Sequence, residues 1–144
     1  MTTKQPTLAI ASDHAGFELK EWLRTNFTSA TWIDAGCSSV ARCDYPDFAE
    51  KACQLVLSGK ASAAVLICGS GVGMSMAANR KNGIRAVLAH SEIAARLSRA
   101  HNDANVLCLG ARITANEYAL DILSQWLATP FEGGHHQDRI AKMG

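Results

Sequence analysis

The sequence predicts an α/β fold: a three-layer sandwich in which a five-stranded parallel sheet carries helices on both faces. Five apolar runs of strand length recur along the 144 residues. They lack strict polar and apolar alternation, as expected of strands buried on both faces. Between them lie segments with apolar residues at helical spacing. Strands alternating with helices imply right-handed βαβ units and a Rossmann-like arrangement.

The elements follow in order. The first strand is "TLAIAS" (7–12), and Phe17, Leu19, Trp22, Leu23 and Phe27 mark the first helix. "TWIDAG" (31–36) leads into an irregular stretch, "CSSVARCDYPD" (37–47), that a sandwich alone does not explain. A second helix is marked by Phe48, Ala49, Ala52, Cys53, Val56 and Leu57 and stops at Gly59. The third strand, "AAVLICG" (63–69), runs into a glycine-rich loop and a helix-like stretch. "IRAVLAH" (84–90) precedes a short helix marked by Ile93, Ala94 and Leu97, and "NVLCLGA" (105–111) a longer one marked by Tyr118, Ile122, Leu123 and Trp126. A polar tail follows Pro130.

Composition narrows the function. With 48% hydrophobic and 19% charged residues, residues 1–144 read as one globular domain that buries roughly two thirds of its unfolded surface. A net charge of +1 gives no electrostatic case for nucleic acid or a membrane as partner. The first residues contain no apolar core of signal-peptide length, so a cytoplasmic location is expected. The five cysteines form no CxxC pair and no zinc-spaced cluster with histidine. No metal or cofactor is expected, and Cys53 and Cys108 read as small core residues.

In sheets of this kind ligands bind beyond the carboxyl ends of the strands. Asp13 and His14 follow the first strand, Cys68 and the loop Gly69-Ser70-Gly71-Val72-Gly73 the third, and Arg112 the fifth. His101 and Asn102 end the helix before the fifth strand, and are expected to fold over the same crevice with His101 facing Cys68. The glycines let successive N–H groups approach an anion at a helix N-terminus; read alone, the loop is equally a tight strand-to-helix turn. Its G-x-G-x-G spacing, with no acidic residue ending the next strand, departs from the dinucleotide fingerprint, and no P-loop is present. A helix N-terminus stabilises a thiolate, so Cys68 is either a nucleophile forming a covalent intermediate or a base taking a proton beside a carbonyl, with the loop amides as an oxyanion hole. The residues alone leave both open. His101 is either a proton carrier or a capping cation. His135, His136 and Arg139, behind Gly133-Gly134, either add positive groups or belong to a frayed end.

Six segments in order, "SDHAGFELK" (12–20), "DYPDFA" (44–49), "ICGSGVGMSMAANR" (67–80), "GIRA" (83–86), "SRAHNDANVLCLGAR" (98–112) and "EGGHHQDR" (132–139), span nearly the whole chain. Together they resemble the ribose-5-phosphate isomerase B family, whose wider group includes galactose-6-phosphate isomerase subunits and enzymes acting on allose 6-phosphate. The resemblance implies interconversion of ribose 5-phosphate and ribulose 5-phosphate through an enediolate, without metal or cofactor. It makes Cys68 the base, the 69–73 amides with Ser70 the anion hole, and His101 the ring-opening residue with Asp44 nearby. It makes Asp13 and Asn102 hydroxyl contacts, Tyr45 a wall of the sugar site, and His14, Arg112 and Arg139 phosphate-side groups. It also implies a homodimer or homotetramer with shared sites, the tail (about 130–144) reaching the neighbouring subunit.

Two departures stand out. Where the family commonly reads Gly-Gly-Arg-His, this chain has Gly133-Gly134-His135-His136, so a titratable group replaces a permanent charge in the expected phosphate pocket. A branch of the family uses a glutamate just past the glycine loop; Met74 stands there, which places this chain with the cysteine-dependent type. The readings to be separated are a pentose phosphate isomerase, the same chemistry on a hexose 6-phosphate, and a non-catalytic sugar-phosphate or nucleotide-binding module. Such a module has no use for both Cys68 and His101.

Overall fold

A computed structural model describes residues 4–144. The elements are β1 (Thr7–Ser12), a 3-10 turn (His14–Gly16), α1 (Phe17–Asn26), β2 (Thr31–Asp34), α2 (Tyr45–Leu57), β3 (Ala63–Cys68), α3 (Val72–Asn79), β4 (Ala86–Leu88), α4 (Glu92–Asn102), β5 (Val106–Gly110), α5 (Asn116–Ala128) and α6 (His135–Ala141). All pairings are parallel, in the order β2-β1-β3-β5-β4. The expected sandwich is what forms.

Side-chain parity divides the core into two layers. Leu8, Ile10, Val65, Ile67, Leu107 and Leu109 face α1, α4 and α5, meeting Leu19, Leu23, Ala95, Ile122, Leu123 and Trp126. Ala9, Ala11, Ala64, Leu66, Cys68 and Cys108 face α2 and α3, meeting Ala49, Ala52, Cys53, Met74 and Ala78. The second layer is built largely from alanine and cysteine, which lets α2 and α3 lie close to the sheet. Cys68, even in the count along β3 with Ala64 and Leu66, therefore points to the α2/α3 side. Met74 is completely buried in this layer, so its position serves packing.

From β1 the chain goes to β2 on one side and to β3 on the other. The order reverses between β1 and β3, and a crevice opens beyond the carboxyl ends of these two strands. Asp13-His14 and Cys68–Gly73 follow those two strands.

Two parts differ from the sequence pattern. The end of the irregular stretch is already helical, because α2 starts at Tyr45 with a proline in its first turn, where proline lacks only an N–H that has no partner anyway. The tail contains a helix, α6, whose turn is set by Gly133 (φ +72°) and Gly134 (φ +61°). Strands β2 and β4 are also shorter than their apolar runs.

Lys20 is a buried charge on α1. Its ammonium donates to both oxygens of Asp34 at 3.0 Å and to Glu21 Oε1 at 2.8 Å, tying α1 to the end of β2. Removing one partner of a buried pair is costly because it leaves the other charge buried and uncompensated. Losing Asp34 does this to the fully buried Lys20, whereas losing Lys20 leaves carboxylates that are partly exposed and still paired with Arg24. Asp34→Ala is therefore expected to lower unfolding free energy by about 1–3 kcal/mol, its partial exposure reducing the cost of a fully buried pair. Lys20→Met should stay within about 1 kcal/mol of wild type by urea denaturation.

Cys53 and Cys108 are completely buried core residues, as expected. Burial pushes the Cys53 thiol up to about 11, and pushes Cys108 up as well, helped by the neighbouring Cys53 and Cys68. The thiolate is the reactive form, and at pH 8 a thiol titrating near 11 is ionised in roughly one molecule per thousand. Alkylation at pH 8 followed by peptide mapping should leave Cys53 and Cys108 unmodified until the chain is unfolded in denaturant.

Candidate active site

Cys68 ends β3, where the chain turns through the glycine loop into α3. Its Sγ accepts the Gly71 N–H at 3.1 Å, and the residue is 5% exposed. Gly71 caps α3 with φ +79°, and a Cβ there would meet Leu88 Cδ1 at 2.5 Å and the Leu109 carbonyl carbon at 2.9 Å. Both space and conformation require glycine. The Val72 N–H is held by Ser70 Oγ at 3.2 Å. Gly73 N–H remains in the first turn, where no intrahelical acceptor exists, and the Ser70 hydroxyl keeps its own proton to donate.

Two walls flank this loop. Tyr45, at the start of α2, lies against Gly73 so closely that a Cβ would meet its ring at 2.6 Å. Arg112 lies against Gly69, its Nε 3.4 Å from where a Cβ would be. The loop and the chain after β5 are stitched together by Ala111 N–H to Cys68 O and Arg112 N–H to Gly69 O, both 2.9 Å.

Beside the loop lies a groove of about 430 Å³ lined by Asp13, His14, Arg42, Cys43, Asp44 and Tyr45. Asp13 Oδ1 accepts from Ala15 N–H at 3.0 Å and Gly16 N–H at 3.1 Å, so this residue builds the turn after β1 as well as lining the groove. His14 Nδ1 is fixed at 3.2 Å from both the N–H and the carbonyl oxygen of Cys43, which leaves its Nε2 edge for a ligand. Asp44 occupies the capping position of α2, yet its carboxylate does not cap the helix. Arg42 was not singled out by sequence; its only signal was membership of the irregular stretch.

His101 and Asn102 do not join this crevice. Helix α4 runs antiparallel to the strands and ends just before β5, whose Val106 is in register with Ala64 while Gly110 is in register with Cys68. Four residue steps separate those levels, about 13 Å of strand. The expected approach of His101 to Cys68 within one chain is thereby corrected: they sit at opposite ends of the sheet. Asn102 instead lines a larger cleft of about 750 Å³ that runs along β4 and reaches Ile140 and Met143.

The tail gathers at that same far end. Glu132 N–H donates to Ala100 O at 3.0 Å. The rings of His101 and His136 stack at 4.3 Å and 14°, and His135 lies 4.1 Å from His136. His135 and Arg139 are exposed on α6. The chain thus presents two groups of candidate residues. Asp13, His14, Asp44, Tyr45, Cys68, Gly69–Gly73 and Arg112 lie at the carboxyl edge; His101, Asn102, His135, His136 and Arg139 lie at the other.

Among the described residues, no helix is long and apolar enough to cross a membrane.

Comparison with known proteins agrees with this architecture. The family model described as Ribose/Galactose Isomerase matches residues 8–143. Ribose-5-phosphate isomerase B of Escherichia coli is 42% identical over 135 residues, covering 92% of this chain and 91% of that protein. The crystal structure of a ribose 5-phosphate isomerase from Thermotoga maritima superposes with a TM-score of 0.95 at 46% identity, over 97% and 98% of the two chains. Ribose-5-phosphate isomerase B from Mycoplasma genitalium, solved with bound ribulose-5-phosphate, superposes with a TM-score of 0.88 at 40% identity, over 95% and 93%. With the family model and these relatives each matching nearly the whole length, the chain belongs to the ribose/galactose isomerase family.

Proposed function

We propose that this chain interconverts ribose 5-phosphate and ribulose 5-phosphate, a step of pentose phosphate metabolism, with Cys68 as the base. The observation that carries the reading is the Cys68 thiol at the N-terminus of α3, with Gly71 N–H donating to its sulfur at 3.1 Å. That contact fixes the sulfur at the mouth of the glycine loop, and the loop beside it supplies hydrogen-bond donors for an oxyanion.

In the linear aldose the thiolate removes the C2 proton, and the electron pair moves through the new C1–C2 double bond onto the carbonyl oxygen. Gly73 N–H and the Ser70 hydroxyl stabilise the enediolate so formed. A proton passes between the two oxygens, and the thiol returns its proton to C1. Nothing is gained or lost overall. Tyr45 walls the sugar, Asp13 binds hydroxyls, and His14 and Arg112 face the phosphate.

The cyclic sugar must open first, and of the two groups assigned to that step Asp44 lines the groove, whereas His101 stands in one chain at the wrong end of the sheet. A second copy resolves the separation. In a two-fold dimer the far end of one protomer meets the carboxyl edge of the other, twice. His101 and Asn102 of the second copy then face Cys68, while its His135, His136 and Arg139 complete the phosphate pocket. Exposed apolar side chains support such an interface: Val72 and Met76 on α3, and Ile93 and Leu97 on α4, lie on opposite faces of the β4 edge.

With a chelator present, purified protein is expected to turn over ribose 5-phosphate faster than allose 6-phosphate or galactose 6-phosphate. Cys68→Ala should lower kcat/KM by about 10²- to 10⁴-fold with an unchanged circular dichroism spectrum. Turnover of none of the three sugars would leave a binding module, and faster turnover of a hexose phosphate would reassign the substrate.

The shared site has its own test. Cys68→Ala and His101→Ala homo-oligomers should each be nearly inactive. Mixing them by co-expression restores one intact site in each mixed dimer, or about a quarter of wild-type activity for random pairing. No recovery would exclude a site shared in this way.

A further inference from the structure

His101, Glu132 and His136 form a cluster that the isomerase reading leaves unexplained. His101 Nε2 lies 3.8 Å and His136 Nε2 3.6 Å from the same carboxylate oxygen, Glu132 Oε1, and one ligand atom from each residue lies within 4.8 Å of the other two. These separations exceed hydrogen-bond length, so the three groups surround a gap without closing it. At a tetrahedral zinc ion with bonds of about 2.0–2.2 Å, neighbouring ligand atoms stand roughly 3.3 Å apart. The two nitrogen–oxygen edges need a contraction of a few tenths of an ångström to reach that spacing, and the nitrogen–nitrogen edge at most about 1.5 Å, which side-chain rotation supplies.

The scaffold holds the ligands ready. Glu132 is anchored to the end of α4 by its N–H bond to Ala100 O, adjacent in sequence to His101. The Gly133-Gly134 turn brings His136 back over Glu132, with His136 N–H donating to Gly133 O at 3.2 Å. The two imidazoles stack at 4.3 Å and 14°, and because their lone pairs lie in the ring planes, a rotation of the rings about χ2 is what turns both Nε2 atoms toward one ion beside the carboxylate. Two imidazoles and a carboxylate make a donor set that suits zinc and its first-row neighbours, and three protein ligands leave a fourth position open.

We propose that His101, Glu132 and His136 bind a zinc-class divalent ion, and that the ion inhibits the enzyme reversibly by occupying His101. The binding half stands on the cluster alone; the inhibitory half rests on the assignment of His101 to ring opening. The bound ion takes the Nε2 lone pair, so His101 can no longer accept or return a proton there. Sugar ring opening then stops while Cys68 is untouched.

The test is calorimetric titration of metal-free protein with Zn²⁺ and Mg²⁺, alongside the absorption spectrum of Co²⁺ in the visible region. Wild type should bind one Zn²⁺ per chain in the micromolar range, show the intense bands of tetrahedral Co²⁺, and ignore Mg²⁺. Glu132→Gln and His136→Gln, both at accessible positions, should weaken zinc at least as much as the roughly 10–100-fold that loss of an outer-shell partner costs. Turnover of each protein is then followed against zinc and compared with its own metal-free rate. Wild type should be inhibited and recover on adding a chelator, and Glu132→Gln should resist by the same factor by which its affinity falls. Affinity unchanged in both variants, or no binding, would overturn the site. Equal inhibition of wild type and Glu132→Gln would place the ion on a thiolate instead, and binding without inhibition would overturn the inhibitory half. If no isomerase activity exists, the titrations still decide the site, so the two readings fail separately.

Discussion

The pairing of β3 with β5 continues past the end of the strands, and the carboxyl-edge site hangs on that continuation. Ala111 and Arg112 donate their N–H groups to Cys68 and Gly69, so the chain after β5 is drawn along the glycine loop. A Cβ on Gly110 would lie 2.6 Å from Ser70 O, and only hydrogen at that position lets the loop settle onto β5. From this contact follow the position of the thiol, the turn that offers Gly71 N–H to it, and the placing of the Arg112 side chain along Gly69. Two aliphatic strands thus do the positioning, and the polar groups ride on their ends.

The same sheet explains why the proposed mechanism calls for two copies. Parallel strands with helical crossovers put every strand's carboxyl end at one edge and every returning helix's end at the other. Any pair of residues drawn from a strand end and the next helix end is separated by the length of the sheet. His101 and Cys68 are such a pair, and the loops between them are too short to close that distance. An enzyme that uses both takes one from each of two copies. In the proposed mechanism activity is thereby coupled to assembly, in keeping with the apolar side chains left exposed on both sides of β4.

At the far edge the electrostatic setting differs. The carboxyl edge joins two carboxylates, Asp13 and Asp44, to Arg42 and Arg112 around the thiol. The far edge gathers three imidazoles and one carboxylate where the tail meets the end of α4, with Arg139 on α6. Imidazoles crowded in this way disfavour one another's protonation: desolvation and then the neighbouring His135 and His101 hold His136 below the usual histidine range, while Glu132 partly offsets this. A region proposed to receive a phosphate has donors that also suit a metal ion.

Much was legible in the sequence because it depends on short-range pattern. Apolar runs marked all five strands, helical spacing marked α1, α2, α4 and α5, and the glycines after Cys68 marked the α3 N-terminus, since local backbone preferences and burial act within a few residues. Motif order then carried the family. The early start of α2 was obscured because Pro46 reads as a breaker until its place in the first turn is known, and α6 was obscured because a polar tail with Gly133-Gly134 has the composition of a loose end. Tertiary structure alone decided which candidates meet. That Tyr45 lies on Gly73, that Arg112 lies on Gly69, and that His101 joins Glu132 and His136 rather than Cys68 depend on strand order and register. Those are fixed by contacts between residues far apart in the chain, which no local pattern records.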